Sequence, residues 1–139
     1  FLREHDLVPD LIWCSTAARA VQTLGLLGRD FAGHADVIYS EDLYMASERT
    51  LLECLHHTHD EAKRVMIIGH NPGIENFAKE LYRDGDEDAR AMMERKYPTC
   101  ALAHFEFDVE NWADSQFEAG RLMGFTKVKE LQAAKIGAD

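Results

Sequence analysis

The run Arg64-Val65-Met66-Ile67-Ile68-Gly69-His70-Asn71-Pro72-Gly73 limits the possible folds of this chain more than any other stretch. Val65 to Ile68 is a short unbroken apolar segment, the pattern of a parallel strand covered on both faces. Gly69 allows a sharp backbone turn, so His70 stands at the carboxyl end of the strand. Asn71 suits a helix N-cap and Pro72 the first helical position, where a missing N–H costs nothing. In open α/β sheets, ligands bind beyond the carboxyl ends of the strands. His70 is therefore expected beside a helix N-terminus, whose free N–H groups favour anions. A histidine at such a place also fits a hydrogen-bonded core residue; the strand, glycine and cap around it favour function.

Other segments repeat the strand-then-helix pattern. Asp10-Leu11-Ile12-Trp13-Cys14-Ser15 reads as a strand bounded by Pro9. Ser15 or Thr16 can cap the helix that follows, with Val21, Leu24 and Leu27 on its apolar stripe. Val37 to Tyr39 is a third strand. Ser47 is placed to cap a helix holding Leu51, Leu52 and Leu55, and a further helix is expected from about Pro72 to Tyr82. The acidic stretch Asp84 to Asp88 reads as a loop or a helix start, and Ala89 to Lys96 as helix. Ala101 to Asp108 alternates, with Ala101, Ala103, Phe105 and Phe107 on one face, as in a half-exposed antiparallel strand. Arg121 to Thr126 supplies its partner, and Val128 to Ala134 a final helix. The expected fold is α/β: a mostly parallel sheet with helices on both faces and an antiparallel edge.

Composition narrows the function. The net charge of −10 argues against non-specific binding to nucleic acid or to an anionic membrane, both of which need a basic face. A local pair of cations can still hold a small anion. The 139 residues are enough for one domain, taken as spanning 1–139, that buries roughly two-thirds of its unfolded surface. No apolar run reaches membrane-spanning length. Cys14, Cys54 and Cys100 are odd in number and isolated, which suits a reducing, cytoplasmic setting without disulfides. Phe1 to Leu7 resembles the last turn of a helix whose start is absent, so the chain reads as an N-terminally incomplete fragment.

Two strand ends invite comparison. Ser15-Thr16-Ala17-Ala18-Arg19 and Gly69-His70-Asn71-Pro72 both follow apolar strands and both open helices. A guanidinium one turn into a helix, beside free backbone N–H groups, can hold a phosphoryl group. An imidazole from the neighbouring strand can donate to the same oxygens. On spacing alone, Arg19 fits a surface helix residue equally well.

The segments Pro9 to Thr23 and Val65 to Gly73 resemble the histidine phosphatase superfamily, and most closely its short phosphohistidine phosphatases of SixA type. Asp42-Leu43-Tyr44, Thr50-Leu51-Leu52, Tyr97 to Ala103 and Gly120-Arg121-Leu122 fit the same branch. The resemblance implies a phosphoglycerate-mutase-like fold and a covalent mechanism without metal or organic cofactor. In that family a nucleophilic histidine, in an Arg-His-Gly ending an N-terminal strand, takes the phosphoryl group and releases it to water. Arg19 matches a second arginine and His70 a second histidine of the phosphate pocket, with Ser15 and Asn71 lining it. The implied substrate is a phosphorylated phosphotransfer protein, or a small phosphoester.

The chain departs from this pattern twice. It contains no Arg-His pair, and Arg3-Glu4-His5 lies too close to the Pro9-Asp10 strand to serve. The first strand and the nucleophile are thus expected upstream of Phe1, and the chain as written is expected to lack phosphatase activity. Where larger members carry a Leu-x-Glu proton donor, this chain has Leu43-Tyr44-Met45. A protonated imidazole leaves more easily than an alkoxide, so the missing acid favours a phosphohistidine substrate.

Other readings are weaker. A cysteine-dependent phosphatase needs a loop longer than the four residues between Cys14 and Arg19, and Cys14 fits a small buried hydrophobe. His56, His57 and His59 with Cys54 and Asp60 could suggest a metal, but no second separated ligand pair completes a tetrahedral set. These histidines suit a solvated helix end instead. Trp13 and Trp112 read as packing residues. A phosphate- or partner-binding pseudo-phosphatase is the alternative from another class.

Overall fold

The computed structural model describes residues 9–27, 35–70, 72–95 and 101–127. The expected terminal helices at Phe1 to Leu7 and Val128 to Ala134 lie outside them. Within them the chain runs β1 (Leu11–Ser15), α1 (Ala18–Leu27), β2 (Asp36–Ser40), α2 (Glu48–His56), β3 (Val65–Ile68), α3 (Gly73–Leu81), β4 (Tyr82–Gly85), α4 (Glu87–Arg95), β5 (Ala101–Glu106) and β6 (Gly120–Lys127). This is an α/β fold with a mostly parallel sheet.

β1 is the middle strand of a parallel trio, with β2 on one side and β3 on the other. Leu11 pairs with both Asp36 and Val65, and Cys14 with both Tyr39 and Ile68. The side-chain period of two then sorts the trio into two faces. Ile12, Cys14 and Ile68 turn to one face and meet Ala20 and Leu24 of α1. Trp13, Val65 and Ile67 turn to the other and pack on Leu51, Leu52 and Leu55 of α2 and on Phe77 and Leu81 of α3. Helices therefore cover both faces. Each fully buried leucine or isoleucine contributes on the order of 1.5–3 kcal/mol.

Polar anchors set the strand ends. The Asp10 carboxylate accepts the N–H groups of Lys63 and Arg64 at 2.7 and 2.9 Å, tying the start of β3 to the start of β1. Trp13 packs in the core and donates its indole N–H to Thr58 at 3.0 Å, and Trp112 donates to the Ala62 carbonyl at 2.8 Å. Both tryptophans are packing residues, as expected. Ser47 caps α2 by accepting the Thr50 N–H, which was also expected.

The remaining strands form a second ladder in the order β4-β6-β5, with β5 antiparallel and β4 parallel to β6. The antiparallel pair is the one foreseen. The strand at Tyr82–Gly85 was not: its residues read as a helix end and an acidic loop. Its reason is tertiary. Gly85 has φ +140°, and a Cβ there would run into the Leu122 backbone, so only glycine lets β4 lie this close to β6. The helix start was legible, since Asp86 accepts the Ala89 N–H at 2.9 Å and opens α4. Ala78, Ala89 and Met93 then pack on Leu122 and Phe125. Between the two ladders lies a cavity of about 420 Å³, lined by Val65, Ile67, Phe77, Ala103, His104 and Phe105 among others.

Candidate active site

Adjacent parallel strands bring two of the sequence candidates together. Ser15 ends β1, and His70 follows β3 by two residues. His70 Nε2 lies 2.8 Å from Ser15 Oγ. Ser15 is fully enclosed, at 0% exposure, and its Oγ also accepts the Ala17 N–H at 3.2 Å, at the mouth of α1. His70 is partly exposed.

α3 begins directly after this histidine. The His70 carbonyl accepts the Ile74 N–H at 2.9 Å, and the Pro72 carbonyl accepts that of Asn76 at 2.9 Å. Pro72 is the cap residue, with φ −82° and ψ −6°, and Gly73 is the first residue of the helix. The assigned helix starts one residue after the expected position, but Pro72 already has helical backbone angles and the His70–Ile74 bond spans it, so the first turn includes the proline. Asn71, expected as cap and phosphate ligand, lies outside the described residues.

Arg19 sits in the first turn of α1 with an exposed side chain. Its carbonyl accepts the Thr23 hydroxyl at 2.9 Å, and its guanidinium makes no ion pair among the described residues. The i−4 or i+4 partner of a plain surface arginine is thus absent among them. Arg19 and His70 belong to elements that leave the carboxyl ends of neighbouring strands.

One neighbour of His70 stands outside the site residues that the sequence pattern marks. The Tyr44 ring meets the imidazole edge to face, with centroids 5.2 Å apart and planes at 78°. Tyr44 follows a short 3₁₀ turn, Glu41–Leu43, which Ser40 caps by accepting the Asp42 N–H at 3.2 Å. Leu43 anchors that turn at 0% exposure. Met45 then takes φ +55°, and Ala46 lies against Gly73, where an added Cβ would strike its carbonyl oxygen. The loop after β2 is clamped onto the start of α3, with Tyr44 turned to His70. The available signal was topological: this loop leaves a parallel strand at the same end of the sheet as Ser15 and His70.

The rival constellations have structural employment. Cys14 is buried, its thiol donates to the Ser15 carbonyl at 3.4 Å, and burial pushes its pKa up, the opposite of an activated thiolate. His56 Nε2–H donates to the Ser115 carbonyl at 2.7 Å. His57 Nδ1–H donates to the Glu53 carbonyl at 2.8 Å, closing the end of α2. Among the described residues no three His, Cys, Asp or Glu side chains gather as a metal site. No helix among them is long and apolar enough to cross a membrane.

No protein-family model matches the chain. Two uncharacterized proteins of Mycobacterium tuberculosis strains are 34% identical over 128 residues, covering 90% of this chain and 77% of each relative. An uncharacterized protein of Mycobacterium leprae is 30% identical over 126 residues, 90% of this chain and 75% of its own. Among solved structures, a candidate phosphohistidine phosphatase SixA from Nakamurella multipartitia has a TM-score of 0.75 at 28% identity, covering 90% of this chain and 74% of that one. A SixA candidate from Agrobacterium tumefaciens has a TM-score of 0.65 at 27% identity, covering 89% and 71%. With the strand–helix junctions at Ser15 and His70 in the places the sequence motifs required, the chain belongs to the histidine phosphatase superfamily, among its SixA-like members.

Proposed function

We propose that the intact protein hydrolyses phosphohistidine on a phosphorylated protein. Similarity to SixA-like proteins supports a phosphatase of this kind. The observation that carries the reading is the 2.8 Å contact between His70 and Ser15 where the carboxyl ends of β1 and β3 meet two helix starts. Phosphoryl oxygens are acceptors only, and this corner of the fold holds donors: an imidazole, the first N–H groups of α1 and α3, and the Arg19 guanidinium one turn away.

In this reading the nucleophile is a histidine outside this chain, which itself contains no Arg-His pair. Its imidazole nitrogen attacks phosphorus, the bond from phosphorus to the substrate histidine breaks, and the departing imidazole takes up a proton. Water then attacks the phosphorylated enzyme, a P–O bond forms, the enzyme P–N bond breaks, and inorganic phosphate leaves. Arg19 and His70 hydrogen-bond the equatorial oxygens, and the Arg19 guanidinium offsets their charge as bonds exchange. Met45 supplies no acid where larger relatives have one, which suits an imidazole leaving group.

The test is hydrolysis of a histidine-phosphorylated phosphotransfer protein by the intact enzyme. Arg19→Ala and His70→Ala are each expected to lower kcat/KM by about 10²-fold or more with the fold retained. Near-normal rates in both variants would refute the assignment. Phosphate binding without turnover by the intact protein would establish the pseudo-phosphatase instead, and preference for small phosphoesters would move the substrate.

A further inference from the structure

The Ser15 hydroxyl has two neighbours and no exposed surface. One is the Ala17 N–H, which can only donate, so it uses an Oγ lone pair. The other is His70 Nε2 at 2.8 Å, where either atom can be the donor. If Nε2–H donated, the serine proton would be left enclosed with no acceptor among the described residues. If the hydroxyl donates to Nε2 while accepting the Ala17 N–H, both of its neighbours are satisfied at once. Neutral His70 then accepts at Nε2 and carries its proton on Nδ1.

The ring cannot easily turn to exchange its nitrogens. Tyr44 meets it at 78° and 5.2 Å, on a loop anchored by Leu43 and pressed against Gly73. Among the described residues Nδ1 has no partner, and the side chain is partly exposed.

We propose that Ser15 is a positioning residue: it locks neutral His70 as the Nδ1–H tautomer, with Tyr44 holding the ring plane, and so makes Nδ1 the hydrogen-bond donor of the site. Ser15 is then not a phosphate ligand, as the family resemblance implied, because a hydroxyl without exposed surface cannot touch a dissolved anion. The role of Nδ1–H toward a phosphoryl oxygen rests on the function proposed above; the tautomer does not. A neutral ring in this form donates to phosphate without first acquiring a charge.

The experiment is long-range ¹H–¹⁵N correlation of the histidine rings in the labelled protein, at a pH where they are neutral, with His70 assigned from its loss in His70→Gln. His70 is expected to show a pyrrole-type Nδ1 and a pyridine-type Nε2. Ser15→Ala, which removes the donor, is expected to shift it toward the Nε2–H form that neutral histidine favours in water. Ser15→Thr, which keeps a hydroxyl, restores the original pattern. In the intact enzyme the same pair should lose and regain kcat by about ten- to hundredfold. An Nε2–H signature in the unsubstituted protein overturns the proposal, whether or not the variants fold. An Nδ1–H signature in a protein that does not hydrolyse phosphohistidine overturns the phosphatase reading and leaves the tautomer assignment standing.

Discussion

Two glycines in helices should respond to alanine in opposite directions, and the structure says which is which. Gly25 lies exposed within α1, and a Cβ there meets nothing within 4 Å. Alanine at such a site gains helix propensity and restricts the unfolded chain, worth about 0.5–1 kcal/mol. Gly73 opens α3, where the same propensity acts, but its Cβ would strike the Ala46 carbonyl oxygen. That atom belongs to backbone held on one side by buried Leu43 and on the other by the Ser47 cap of α2, so it cannot rotate away. Forcing a methyl into packed surroundings costs about 1–3 kcal/mol, more than the propensity gain. Gly25→Ala should therefore stabilise by about 0.5–1 kcal/mol, and Gly73→Ala should destabilise by about 1–2 kcal/mol net. Urea titration followed by tryptophan fluorescence reads both, with an unchanged m-value confirming that the same transition is compared. A Gly73→Ala protein as stable as the parent would refute the clamp between the Tyr44 loop and α3, and with it the basis for Tyr44 holding the His70 ring.

Two further predictions concern titration and reactivity. His104 stands on β5 beside the cavity, and burial pushes its pKa below the ordinary 6.5, with Glu106 pulling it up and Arg64 adding to the lowering. The unfolded chain then binds the proton more tightly, so this contribution to stability is fully present above pH 6.5 and declines as pH falls toward the folded value. Urea midpoints should fall between pH 8 and pH 5, and less steeply in His104→Gln; identical slopes would contradict this. Cys14 is enclosed, with its thiol pKa raised by burial, and that of Cys54 is raised by burial and by Asp42 and Glu53. Peptide mass spectrometry after iodoacetamide treatment should show both largely unmodified in the native protein and readily modified in urea; rapid native labelling of Cys14 would revive a thiolate reading.

Much of the architecture was open to reading because it is written in local pattern. Apolar runs at Leu11–Cys14 and Val65–Ile68 marked the parallel core, and Ser47 announced α2 through its own hydroxyl. β4 escaped because Tyr82–Gly85 has no strand pattern of its own. It is held by the backbone of β6, and only the φ of Gly85 permits that approach. The site divides in the same way. Ser15 and His70 were legible as strand-end residues, since chain order alone places them after apolar runs. The part of Tyr44 was not, because its neighbour is 26 residues away and the contact depends on how a loop is clamped.

The amino-acid order by itself therefore determined the class of fold, the carboxyl ends of β1 and β3 as the place where Ser15 and His70 stand, and the residue types available there. Those follow from period, turn chemistry and capping, which each segment carries within a few neighbours. Tertiary structure alone decided that the Ser15 hydroxyl is buried against His70 rather than open to a ligand, and that Tyr44 flanks the ring. Burial and hydrogen-bond direction depend on distant segments meeting in space, and a linear pattern contains no distance.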